Sequence, residues 1–324
     1  VRNAGKDGEE QHYVYVLESV IVLSNGITLP FYSEFLTAGD MAPVPEMADM
    51  EEQTIAGEAK KQDCERKAFR RLAAKIKGSF RNTPITIVVD GLYACGPILQ
   101  ICNQYHWGFM INLKPKAMPA VWEDALGLML LKKENHLRVQ WGGSAKEGGH
   151  IQDYLWSNGI EYRYRDSHAV FRFLKLNVVI CYETWTEVHS RSTGETEHCE
   201  TRYAWLFSAP LKRSNVFYRC TKMGRYRWKI ENGILKEKHQ GYHYEHSYSY
   251  TWEAMEGYHY LMKIAHLLNT LAANSELLHD RVEALGIRGF FHKLWIICNT
   301  TFLDLERVHE AAASLGQWRL VPAG

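Results

Sequence analysis

The run ITIVV, residues 85–89, ends in Asp90 and Gly91 and stands between two helical patterns; no other stretch restricts the fold as tightly. A continuous apolar, β-branched run buries both of its faces, as a strand at the centre of a sheet does. A carboxylate at the C-terminal end of such a strand lies where open α/β sheets place their chemistry. Before it, the stretch from Lys61 to Lys77 sets Phe69, Leu72 and Ile76 at helical spacing, with Arg66, Arg70 and Lys75 elsewhere on the wheel. After it, Ile98, Leu99, Ile101 and Cys102 share one face of a short helix over Pro97 to Tyr105, and WGFMINLK reads as a further strand. Upstream, HYVYVLESVIVL and ITLPFYSEFL flank SNG, whose Asn-Gly pair is a hairpin signal. The polar segment from Gly39 to Ala59, with Pro43 and Pro45, reads as a loop or short surface helix. The order strand, strand, helix, strand, helix, strand makes this an α/β chain.

Residues 117–210 read differently, as short alternating strands (LRVQW, IEYRYR, AVFRFL, NVVICYETW, TRYAWLF) separated by Gly, Ser and Asn clusters, which predicts a β-rich insertion. Residues 211–275 turn helical, and 276–324 form a helical tail; 1–116 hold the first part of the core. No run of eighteen apolar residues occurs, so no membrane span is expected. The first residues, VRNAGKDGEEQHYVYV, do not read as a signal peptide. Seven cysteines with no CxxC pair argue against a disulfide framework or a zinc ribbon, and a reducing cytoplasm fits them. The net charge of +1 hides a local excess: Leu211 to Gln240 carries nine Lys or Arg against two Glu. Asp40 to Glu58 has acids and no Lys or Arg, so one surface is expected to suit phosphate.

The basic stretch contains GRYRWKIENGILKEK, in which Arg227, Glu231 and Lys238 fall on one broad helical face. Here an acid able to hold a metal is flanked by two cations able to hold phosphates. From spacing alone, Glu231 reads more readily as an ordinary i, i+4 partner of Arg227, an interaction of about 0.3 to 0.5 kcal/mol. Asp90 taken alone is equally a turn-forming Asp before Gly. The flanking RW and IEN reverse the first preference. An Arg, three residues, a Glu, six residues and a Lys, followed by KEKHQGYHYEHSYS, resembles the YREK signature of DDE-type transposases of bacterial insertion sequences. That signature has a Tyr three residues before the Arg, where this chain has Gly224, although Tyr226 adjoins Arg227. Upstream, KKQDCERKAFRRLAAKIK and ITIVVDGLYACGPILQICNQYHWGFMINLK are similar to the region of the family's second Asp.

The resemblance runs from about His12 to Ala272 and implies an RNase H-like, retroviral-integrase-like mixed sheet flanked by helices, with the β-rich insertion before the last catalytic helix. It puts Asp90 and Glu231 in the places of the second Asp and the Glu, as ligands of Mg²⁺, which Mn²⁺ can replace, and makes Arg227 and Lys238 DNA contacts. The implied activity is two-metal cleavage and strand transfer at the ends of a mobile element. Its partners are double-stranded DNA and a second copy of the chain in a homodimeric synaptic complex, in the bacterial cytoplasm at the nucleoid. The family's first Asp is expected upstream of Val1, since Asp7 sits among Gly and charged residues, so the chain alone is expected to cut DNA poorly. The rival readings are a DNA-binding remnant or inhibitor without catalysis, and a nuclease that cuts without joining. His239, His243 and His246 with Glu245, and His198 with Cys199, lack a zinc-site context and read as hydrogen-bonding side chains. Trp205, in YAWLF, reads as core, with base stacking as the weaker alternative.

Overall fold

The structure, a computed structural model, describes residues 2–4, 10–12, 14–36, 50–142, 149–166, 169–188, 196–246, 248–300, 306, 309, 310 and 313, with the side chains of residues 2–4, 10–12, 50–64, 188 and 300 excepted. Asp7, most of the expected loop at 39–59 and most of the tail beyond residue 300 lie outside the described residues. The chain forms two compact units, one of Val1–Leu17 and Ser33–Arg227, the other of Glu18–Tyr32 and Trp228–Gly324.

The chain begins with a short antiparallel pair, β1 (Arg2–Ala4) and β2 (Glu10–His12), which the sequence pattern did not announce. The expected hairpin follows as β3 (Val16–Val22) and β4 (Thr28–Phe35). Its turn works because Gly26 takes φ 84°, a left-handed conformation open to glycine, and the Asn25 side chain accepts the Ile27 N–H. Helix α1 (Met50–Ser79) is longer than the periodicity of 61–77 predicts, extending back through much of the acidic segment. Buried Glu34 in β4 ties to it through Arg71 at 2.5 Å and Lys75 at 2.7 Å.

The first unit is built on a six-stranded mixed sheet ordered β5-β6-β10-β9-β8-β7. Its strands are β5 (Thr86–Val89), β6 (Gly108–Asn112), β7 (His136–Trp141), β8 (His150–Arg165), β9 (Phe171–Val188) and β10 (Thr196–Phe207). Strands β5 and β6 are parallel and joined through α2 (Gly96–Gln104); the other pairings are antiparallel. Between β6 and β7 lies a helix, α3 (Pro119–Leu131), where the alternating pattern of 117–210 predicts only strands. AVFRFL and NVVICYETW form one long strand, β9, rather than two.

Two sheet faces are buried by different means. On one, Phe69 of α1, Ile98 and Leu99 of α2, and Val121 and Ala125 of α3 pack against Ile111, Val178, Ile180 and Leu206. On the other, Val179, Cys181, Tyr154 and Phe207 are covered by Leu211, Val216 and Cys220 from the segment after β10. Alternate residues of β9 therefore face two cores, which is why NVVIC reads as an unbroken apolar run. The same inference misplaced β5: it stands at the sheet edge, not the centre. Thr86 is exposed, Ile87 to Val89 are half-buried, and β5 pairs with β6 alone among the described residues.

The second unit holds the tip of the hairpin and three helices, α4 (Arg227–His239), α5 (Trp252–Ala273) and α6 (His279–Thr300). Ala273, Val282 and Phe290 form a small core between α5 and α6, and α6 is kinked at Gly286. Among the described residues no helix is long and apolar enough to cross a membrane.

Candidate nucleic-acid and metal-binding site

Asp90 follows the last residue of β5 and caps a 3-10 turn over Gly91–Tyr93, its Oδ1 accepting the Leu92 N–H at 3.0 Å. The carboxylate is exposed. The turn that carries it is fixed from two sides. Arg66 of α1 donates to the Leu92 carbonyl at 3.4 Å through both Nε and Nη2. Beneath, Tyr93 is buried, and desolvation, with Glu65 and Asp90 nearby, holds its phenol well above the ordinary range and so protonated. The exposed Lys114, just after β6, runs its side chain along Gly91, next to Asp90 in sequence, and motif reading did not single it out.

Arg227, Glu231 and Lys238 all lie on α4, within an arc of about 40° at about 100° per residue. Lys238 is also an ion-pair partner of Glu245, at 2.5 Å, and that charged hydrogen bond lowers the Glu245 carboxyl. Asp90 belongs to the first unit and Glu231 to the second.

A different acid of α4 is the buried one. Glu237, on another face of the helix, accepts from Lys263 Nζ at 2.6 Å and meets His266 Nδ1 at 2.7 Å. Lys263 also bonds Glu18 of β3, which accepts the Tyr244 hydroxyl at 2.9 Å. Burial alone would raise both carboxyls. For Glu237 the His266 hydrogen bond and the Lys263 charge outweigh it, so the net shift is downward. For Glu18 burial wins and its carboxyl is raised. His259, 3.6 Å from Glu18, is pushed down to about 4 by burial and by Lys263. This network borders a cavity of about 610 Å³ within the second unit, lined by residues of the hairpin, α4, α5 and α6. Sequence reasoning missed it, because Glu18, Lys263 and His266 are ordinary surface types until packing brings them together; the signal available was Glu237 on the apolar Ile230 and Ile234 side of its helix.

Irregular helix leads into α4. A π-helical turn over Tyr218–Met223 and a 3-10 turn over Gly224–Tyr226 precede Arg227. A Cβ on Gly224 would stand 2.7 Å from Met110 Cε and 3.2 Å from Trp205 Cζ2, so a side chain where the transposase signature has its Tyr would have to displace Met110 and crowd Trp205. Trp205 itself is half-buried against the core beneath.

Among the described residues no group of three or more His, Cys, Asp or Glu converges to hold a metal. His243 takes a left-handed φ of 54° at the turn after α4, and its carbonyl accepts the His246 N–H. No protein-family model matches the chain, and no curated protein matches it.

Proposed function

We propose that the chain is the catalytic region of a DDE-type DNA transposase on an RNase H-like core, acting as a homodimer on double-stranded element ends and target DNA. The observation that carries this reading is the placing of the two acids of the motif pair. Asp90 is exposed at the end of a parallel strand in a strand-helix-strand unit, and Glu231 shares a helical face with Arg227 and Lys238 after the strand-rich segment.

Asp90 and Glu231 offer the hard oxygen donors that Mg²⁺ and Mn²⁺ prefer; a pair of such ions activates the attacking oxygen and stabilises the leaving one at phosphorus. The residues of this chain do the holding. Arg66 and the Leu92 N–H keep the Asp90 carboxylate at the mouth of its strand, while Arg227 and Lys238 offer charge to the phosphates on either side of Glu231.

The test is strand cleavage of a labelled duplex bearing the element's terminal repeat, in Mg²⁺ or Mn²⁺. Asp90→Asn and Glu231→Gln should each abolish cleavage and leave DNA binding largely intact. Binding without metal-dependent cleavage by the parent would instead support a DNA-binding remnant, and cutting without joining would support a nuclease.

A further inference from the structure

On the face of the first unit's sheet covered by the π-helical turn, two cations gather over a row of aromatic rings. Three aromatic residues stand side by side across neighbouring strands at its end: Trp141 of β7 is in register with His150 of β8, and Trp185 lies next to His150 on β9. The His150 ring centroid is 5.4 Å from that of Trp141 and 5.3 Å from that of Trp185, so the imidazole is sandwiched between two indoles. One row further in on the same face is Glu183, 2% exposed. His150 Nδ1 approaches Glu183 Oε1 at 2.7 Å, without the direction of a hydrogen bond. Arg225, from the 3-10 turn, donates through Nη2 to Glu183 Oε1 at 3.2 Å and lays its guanidinium 4.5 Å from the Trp141 ring centroid. Lys222 Nζ, from the π-helical turn, is 5.7 Å from the same ring.

Burying a carboxylate is costly unless it is paired, and this one spends its pairing on an arginine whose side chain remains 50% exposed. An arginine held at one nitrogen and stacked on an indole has already lost much of its rotamer freedom, while half of its side-chain surface stays open to solvent. The irregular turns matter here as well. A π-helical turn adds a residue per turn and is often found at functional sites; in this chain it sets Lys222 and Arg225 over one ring.

We propose that Arg225, held on Trp141 by the buried Glu183, and Lys222, over the same ring, bind a DNA backbone phosphate on the β-rich sheet, a contact additional to that of Arg227 and Lys238. The proposal rests on the DNA reading above. Glu183 is a positioning residue in it, and the phosphate contact itself belongs to the two cations.

The experiment titrates the full chain with duplex DNA across a salt series. Arg225→Ala should weaken binding on the order of tenfold and lower the slope of log K against log salt by about one, measured well below the thermal midpoint, which unpairing the buried Glu183 should lower. Arg225→Lys should keep the slope and recover part of the affinity. Glu183→Gln gives the sharpest contrast: deleting a negative charge beside DNA should tighten binding if charge alone acts, whereas loss of positioning should weaken it several-fold. Tighter or unchanged binding by Glu183→Gln, or an unaltered slope in Arg225→Ala, would overturn the proposal. A parent chain whose binding falls on charge reversal of Arg227 and Lys238 but not on Arg225→Ala keeps the DNA reading and loses this site; a parent that binds no DNA loses both.

Discussion

Trp205 fills the space that a side chain at Gly224 would need: a Cβ built there would lie 3.2 Å from Trp205 Cζ2 and 3.3 Å from Cε2. Overpacking of this kind typically costs about 1–3 kcal/mol, since the indole is held by the sheet while the Met110 methyl can give way. Gly224→Ala should therefore lower the denaturation midpoint by that order, and Gly224→Tyr should exceed it. Restoring Gly224→Ala with Trp205→Phe should recover part of the loss. An Ala variant as stable as the parent would show that the helix shifts freely along the sheet, contrary to the packing described.

Acidification should destabilise the second unit through His259. In the unfolded chain this imidazole takes up a proton near its ordinary value of 6.5, and in the fold only near 4, because burial and Lys263 oppose the charge. Between those values the unfolded state binds more protons, so stability falls as pH is lowered through that window. The shift bounds the loss at about 3 kcal/mol, less whatever solvent screening removes. Glu237, whose carboxyl is lowered, acts in the same direction at more acidic pH, while Glu18, whose carboxyl is raised, opposes both. Chemical denaturation at pH 7 and pH 5 should show the fall in the parent and a much smaller one in His259→Gln; equal pH dependence in the two would remove His259 as its source.

Lys263→Met should be among the most destabilising single changes in the chain. It leaves Glu18 and Glu237 buried without the ammonium they share, and breaking a buried pair by removing one partner costs about 3–5 kcal/mol. Adding Glu18→Gln should restore part of that stability, since one stranded charge is then gone. A Lys263→Met protein with an unchanged midpoint would mean that the network is open to water.

Most of the element order was legible because it rests on local pattern. The Asn25-Gly26 turn, the α2 face of Ile98, Leu99 and Cys102, and the helix over GRYRWKIENGILKEK all follow from residues close in sequence. Sheet position was less so. An apolar run reports burial but not which neighbour supplies it, and ITIVV at the edge reads like NVVIC at the centre. Helix α3 was lost among strand signals, as LGLMLL has no polar stripe to give a helical period. For the site, spacing alone placed Arg227, Glu231 and Lys238 on one helix. It could not reveal Glu183 under Arg225, or Lys263 between two acids, since those meet across 42 and 245 residues of chain.

Glu245 competes for one of the proposed phosphate contacts. Its pair with Lys238 should weaken DNA binding modestly, so Glu245→Gln is expected to raise duplex affinity about two- to threefold at low salt, an effect that fades as salt screens it. An affinity unmoved by Glu245→Gln and lost by Lys238→Ala would show that the lysine exchanges partners without competition.

The proposed function requires Asp90 and Glu231 to serve one metal centre, and Mn²⁺ binding followed by paramagnetic resonance tests that requirement most directly. The parent should bind Mn²⁺, and Asp90→Asn and Glu231→Gln should each remove most of that binding. If both acids hold the same ion, the double variant should lose little beyond either single one, the non-additivity expected of side chains that share a partner. Losses that simply add, or Mn²⁺ binding that survives in either single variant, would contradict a shared centre and the transposase account with it.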